Sequence, residues 1–238
     1  MATDSTHTES QLPRPTRVEI CTIIAMYIVL AGLTLLARER GPGWTLGWIY
    51  VGLFVGGMGI FKNSFFLWNP DLAWRRMPIG SGTKTWDWFW LAAFVANIFA
   101  ILFRAVDSHT RVADLRPPDF PWLAGLTIFV SGWMFVTWSS FWNPFFEATV
   151  RIQTELGHRV MDKGPYSVVR HPGYVGFIVT FLSTPLLLPS SGIVALSLSA
   201  ALLFVIRAAL EDRTLQAELP GYAQYTTRVR FRLIPGVW

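Results

Sequence analysis

The chain has 238 residues, 52% of them hydrophobic and only 15% charged, with a mean hydropathy of +0.39. A soluble domain carries about 25% charged residues, so this composition argues against one and for a chain that lives in a bilayer. The formal charge of +5 does not point to nucleic acid, because the Lys and Arg flank apolar runs, where anionic headgroups and membrane topology account for them.

Residues 1–18 are polar and rich in Thr, Ser and Pro, and they read as a disordered tail. Residues 20–37 form the first apolar run. It is long and lacks a clean small-x-small cleavage site, so it reads as a retained span rather than a signal peptide. Cys21, the single cysteine, lies in it and excludes a disulfide or a cysteine cluster. A short turn at 38–43 precedes the second run, 44–68. Gly52, Gly56, Gly57 and Gly59 in this run permit close helix packing, and Lys62 reads as a snorkelling lysine near the interface. The third run covers 86–106 and the fourth 121–146. Trp142-Asn143-Pro144 at the end of the fourth repeats Trp68-Asn69-Pro70 at the end of the second. The loop 107–120 between these two runs carries Asp107, Asp114 and Asp119 with Arg111 and Arg116 and reads as solvated. The fifth run is 173–188 and the sixth 193–210, joined by an uncharged turn at 190–192. From Glu211 onward the chain is polar.

The expectation is therefore an all-α, multi-spanning transmembrane bundle of about six spans. It divides into a tail at 1–18, four spans within 19–150, and a chemistry-bearing region at 151–238 that includes the last helical hairpin. With six spans, thirteen of the twenty Lys and Arg fall on the side of both termini, and four on the other. The positive-inside rule then turns the polar segment 147–169 and the C-terminal tail to the cytoplasm.

The densest polar motif is Gly164-Pro165-Tyr166-Ser167-Val168-Val169-Arg170-His171-Pro172-Gly173-Tyr174-Val175-Gly176. Pro172 suits the first turn of a helix. Gly173 and Gly176 leave room for a close backbone approach. Tyr166 and Tyr174 offer flat faces with a hydroxyl at the edge. A second block follows: Arg207, Glu211, Asp212 and Leu215, then Tyr222, Tyr225, Arg232 and Pro235. Arg207 and Glu211 are four apart and share a helix face. Arg207 also lies inside an apolar run, where a charge costs roughly 2.5–3.5 kcal/mol unless it faces a polar cavity. There is no Gly-x-Gly-x-x-Gly, no paired Cys/His metal spacing and no Gly-x-Ser-x-Gly elbow, so neither a soluble dinucleotide-type fold nor a metal site is expected. His7 and His109 are isolated and read as solvated or interfacial.

The two blocks together resemble the signature of the isoprenylcysteine carboxyl methyltransferase family, integral-membrane enzymes that use S-adenosylmethionine. The resemblance covers roughly 153–238. It implies a cytoplasm-facing cofactor pocket lined by Gln153, His158, Arg159, Val160, Met161, Tyr166, His171, Pro172, Gly173, Tyr174 and Glu211. Arg207 falls on the acceptor side and, with Arg170, is a candidate for the catalytic step. The sequence departs from the family pattern in having Asp212 where the paired acids are Glu-Glu, and in a shorter segment between Gln153 and His158. The implied reaction moves a methyl group to a lipophilic acceptor drawn from the membrane lipids or carried in them: a prenylcysteine-like carboxylate, a lipid amine or a thiol. A membrane reductase of the sterol type and a non-enzymatic assembly or transport factor remain as alternatives.

Overall fold

The computed structural model describes residues 45–68, 82–106 and 119–238. The expected tail at 1–18, the first span, Cys21, His7, His109 and Asn69-Pro70 of the second run lie outside them. The described residues form six α-helices and no strand: α1 (Thr45–Trp68), α2 (Thr85–Val106), α3 (Phe120–Trp142), α4 (Pro172–Leu187), α5 (Ser191–Glu218) and α6 (Tyr222–Arg228). Thr85–Ala105 in α2, together with α3 and α5, is long and apolar enough to cross a membrane. Leu46–Phe61 within α1, and α4, are shorter apolar helices.

Local chemistry sets the helix ends. Asp119, expected to be solvated, caps α3 by accepting from Trp122 N at 3.0 Å, with Pro121 in the first turn. The fourth apolar run was expected to continue to residue 146. The helix stops at Trp142 because Asn143 turns the chain: its Oδ1 accepts from Phe145 N at 2.9 Å, and Pro144 follows. Ser191, read as part of the turn, is instead the first residue of α5. At its other end α5 does not stop at Leu210. Its 28 residues rise about 42 Å, so it continues past the apolar run and carries Glu211 and Asp212 on regular helix.

The most closely packed pair is α3 against α4. Gly125 lies against Leu186, Gly132 against Gly176, and Phe146 against Gly173, so the two helices run antiparallel. A Cβ on Gly132 would stand 2.8 Å from the Gly176 carbonyl oxygen, and one on Gly176 equally close to the Gly132 carbonyl oxygen. The glycines are thus what allows the backbones to touch. On one side, α1 joins through the Tyr50 hydroxyl, 3.1 Å from Thr184 Oγ1, and through Phe54 against Trp133 and Phe181. On the other, α2 runs antiparallel to α5: Trp90 Nε1 donates to Leu203 O at 2.7 Å, and Asn97 Nδ2 donates to Leu196 O and Ser199 Oγ. Phe94, Phe177, Phe181 and Phe204 fill the centre, with Phe177 stacked on Phe204 at 4.9 Å. The bundle therefore brings the C-terminal end of α3, the N-terminal ends of α2 and α4, and the polar end of α5 to one end of the molecule.

Candidate active site

At that end the segment 143–171 folds back over the helices and encloses a polar cleft. Gln153 organises its first half. The side chain is buried at 2% exposure and Nε2 donates to Phe145 O at 2.8 Å; the Gln153 backbone carbonyl accepts from Leu156 N and His158 N, and the Gln153 backbone N–H donates to His158 Nδ1 at 3.3 Å. These bonds close a 3₁₀ turn at Thr154–Leu156 and press the His158 ring onto Phe145, with centroids 4.5 Å apart. Because Nδ1 accepts, the His158 proton resides on Nε2. Burial holds this imidazole below the usual histidine value, opposed in part by Glu211. Beside them in the lining, Arg151 forms a two-pronged pair with Glu147 at 2.8 and 2.9 Å and a further bond to Glu155. The bond to Glu147 raises the Arg151 guanidinium, and the bond to Arg151 lowers the Glu155 carboxyl.

The motif 164–176 forms the second half. Gly164 has φ +58, and a Cβ there would lie 2.5 Å from the Trp142 ring, so this turn requires glycine on both counts. It leads into a 3₁₀ turn at Gly164–Ser167 that delivers Tyr166, whose hydroxyl accepts from Asn143 Nδ2 at 3.2 Å. Pro172 opens α4 as expected, and Gly173 follows it. A Cβ on Gly173 would enter the Phe146 ring. His171 stacks on Tyr174, with centroids 5.5 Å apart and planes 5° from parallel. The Tyr174 hydroxyl donates to Glu211 Oε2. The two imidazole nitrogens of His171 face two carboxylates: Nδ1 lies 3.9 Å from Glu211 Oε2, and Nε2 lies 3.5 Å from Asp212 Oδ1.

The two acids have separate roles. Glu211 lines the cleft with its side chain 22% exposed, whereas Asp212 is wholly buried behind it. Asp212 lies 3.1 Å from Arg170 Nη1, and accepts from Arg232 Nε at 2.9 Å, the Tyr222 hydroxyl at 3.0 Å and Gln216 Nε2 at 2.8 Å. Burial and Asp212 both raise the Tyr222 hydroxyl, so it stays a donor. The main chain reinforces this anchor: Arg170 N and His171 N donate to Phe231 O and Arg232 O, each at 3.0 Å, and the Tyr225 hydroxyl donates to Tyr166 O at 2.6 Å. The C-terminal segment is thereby fastened across the back of the motif.

Of the expected site residues, His158, Arg159, Val160, Met161, Tyr166, Arg170, His171, Gly173, Tyr174 and Glu211 line the cleft together. Gln153 and Pro172 act from behind it, one as the turn organiser and one as the first residue of α4. Arg207 also stands outside the lining, one layer beneath Tyr174. Its guanidinium lies 4.0 Å from the Trp90 ring centroid and 5.6 Å from that of Tyr174. Its charge is met by Asp87 of α2, with Nε 3.0 Å from Oδ1 and Nη2 3.0 Å from Oδ2. Sequence reasoning offset this buried charge with a polar cavity and missed Asp87. The available signal was an acid in the first turn of an apolar helix, opposite an unpaired arginine in another. It also missed Asn143, Phe145, Glu147 and Arg151 in the lining, and gave Tyr222 and Tyr225 of the second motif block no place in it.

A helical membrane protein with a polar cleft at one end of its bundle is what the fold and this geometry define. Residues 125–217 match the model of the isoprenylcysteine carboxyl methyltransferase family. The matched segment extends the resemblance back through α3, and holds α4, nearly all of α5 and most of the cleft. It stops before α6 and the C-terminal tail, and leaves out α1 and α2. No curated protein matches the chain. The family is one of methyltransferases, and with the apolar helices it supports an enzyme integral to the membrane.

Proposed function

We propose that the chain transfers a methyl group from S-adenosylmethionine to a lipophilic acceptor, with the cofactor held in the polar cleft and the cleft facing the cytoplasm. The observation that carries this reading is Glu211, a carboxylate presented to the cleft and oriented by the Tyr174 hydroxyl within the family-matched segment. Three features of the lining fit the cofactor. Glu211 suits its ammonium group. Arg170 Nε is a buried donor with no hydrogen-bond partner among the described residues, and it suits the carboxylate. The flat wall of Phe145 and His158 suits adenine.

When bound, S-adenosylmethionine supplies an electrophilic methyl carbon on a sulfonium, which departs as a neutral thioether. Bound there, the cofactor would offer that carbon to the acceptor's lone pair, and the electrons of the carbon–sulfur bond would pass to sulfur. Such a transfer needs alignment and exclusion of water more than acid–base chemistry. Tyr166, His171 and Tyr174 supply the walls. Arg207 has Nε and Nη2 committed to Asp87, and Nη2 also donates to Ala148 O at 2.7 Å; Nη1 makes no hydrogen bond among the described residues. In this reading Nη1 orients the acceptor. The acceptor's class is open among a prenylcysteine-like carboxylate, a lipid amine and a thiol.

Titrating detergent-purified protein with S-adenosylmethionine and, separately, with NADPH tests the reading. Saturable binding of the first and none of the second is expected; the reverse would move the chain to the reductase class. For orientation, a cysteine at Ser191 should react with an impermeant thiol reagent from outside intact cells, and protection there would invert the topology.

A further inference from the structure

We propose that Asp87, on α2 and outside the family-matched segment, is a positioning residue that ties Arg207 and the cleft rim 147–151 into one unit. Its functional consequence rests on the cofactor reading above. The Asp87 side chain is wholly buried in the first turn of α2. Its Oδ2 accepts from Val150 N at 2.6 Å and from Arg207 Nη2 at 3.0 Å, while Oδ1 lies 3.0 Å from Arg207 Nε. Arg207 Nη2 also donates to Ala148 O at 2.7 Å, so guanidinium, carboxylate and rim close a ring of contacts. Two neighbours of Asp87 extend the seam: Lys84 N donates to Val150 O at 3.0 Å, and Thr83 Oγ1 lies 3.2 Å from Thr149 Oγ1.

This seam reaches the cleft from two directions. Glu147, Thr149, Val150 and Arg151 are themselves lining residues, so the contacts from α2 bear directly on the shape of the rim. From the other side, Arg207 supports the Tyr174 ring, and the Tyr174 hydroxyl holds Glu211. Asp87 therefore stands two residues away from the carboxylate assigned to the cofactor. Without its charge, Arg207 is left uncompensated in an apolar layer and moves toward water or another acceptor, taking the support of Tyr174 with it. Without its oxygen, the buried Val150 amide loses its acceptor. Asparagine separates the two roles, since it can still accept from Val150 N but cannot neutralise Arg207.

The test compares full-length wild type, Asp87→Ala and Asp87→Asn in detergent, by amide hydrogen exchange over 147–151 and by S-adenosylmethionine titration. Asp87→Ala should expose the rim to faster exchange and raise the Kd about tenfold, the scale of one weakened charge-assisted hydrogen bond. Asp87→Asn should keep rim exchange close to wild type and still raise the Kd, because Arg207 is unheld. A clamp that only stabilised the bundle would lower the melting temperature and leave the Kd of the folded protein unchanged. Wild-type Kd and wild-type rim exchange in monodisperse Asp87→Asn and Asp87→Ala would overturn the proposal. If Asp87→Ala does not fold, the Kd of Asp87→Asn decides alone. Failure of the wild type to bind S-adenosylmethionine would count against the proposed function, and rim exchange in Asp87→Ala would then decide this inference.

Discussion

The α3–α4 crossing and the cleft end are both tightly packed, by opposite means. At the crossing, Gly132 and Gly176 bring two backbones together, and Thr180 and Ser183 satisfy their hydroxyls within their own helix. Nothing there depends on charge. At the cleft end, packing depends on buried carboxylates, each answering several donors: Asp212 holds the motif and the tail, and Asp87 holds the rim and Arg207. The contrast has a physical cause. Inside a bilayer, apolar helices gain little from burying apolar surface against each other, so close van der Waals contact holds them. The cleft must keep a polar shape at the boundary of an apolar bundle, and there pairing and hydrogen bonds offset the desolvation cost of the buried charges.

The largest effect should come from breaking the charge-dependent region. Asp212→Asn leaves Arg170 and Arg232 without their common partner, and should cost roughly 3–5 kcal/mol of stability in thermal unfolding. Release of the tail should accompany it, seen as faster tryptic cleavage at Arg230 and Arg232. The size-dependent region should respond to bulk instead. Gly132→Val places side-chain atoms against the α4 backbone and should cost about 1–3 kcal/mol. The same variant should leave the S-adenosylmethionine affinity of the folded protein within about twofold of wild type, since the crossing does not line the cleft. Loss of affinity larger than loss of stability in Gly132→Val would erase the distinction.

The smallest effect tests the His158 wall. Its folded-state value is depressed below about 6.5. The unfolded chain therefore takes up the proton first as the pH falls, and the stability contributed by the neutral ring is complete above about 6.5 and lost as the pH drops through the folded value. Protonation of Nδ1 also removes the acceptor of the Gln153 amide. Wild type should thus lose stability between neutral and mildly acidic pH relative to His158→Phe, which keeps a ring on Phe145 but cannot titrate. Parallel pH curves for the two proteins would remove His158 from the account.

Much of this contrast could be read from residues, because membrane helices and the motif each leave a local record. Apolar runs and proline positions located α1 to α5 to within a few residues at most boundaries. Pro172 and Gly173 marked the α4 entry because their constraints are intrinsic to one residue. The pairs that shape the cleft are different. Asp87 and Arg207 are 120 residues apart, and no spacing rule links them. The division of labour between Glu211 and Asp212 depends on which side of α5 meets α6 and the tail, a fact of tertiary packing. The end of α5 was hidden for a related reason: hydropathy falls at Glu211, but the helix continues, held by Leu215 and Leu219 against α6 and the loop.

The measurement that bears most directly on the cleft as a cofactor site is the S-adenosylmethionine Kd of Glu211→Gln beside that of wild type, in protein shown to be folded and monodisperse. The substitution preserves size and the contact with Tyr174 but removes the charge assigned to the cofactor ammonium. A charge-assisted hydrogen bond contributes roughly 1.5–3 kcal/mol, so the Kd should rise by about tenfold or more. An unchanged Kd would contradict the assignment of Glu211 and, with it, the polar cleft as the place where the methyl donor binds.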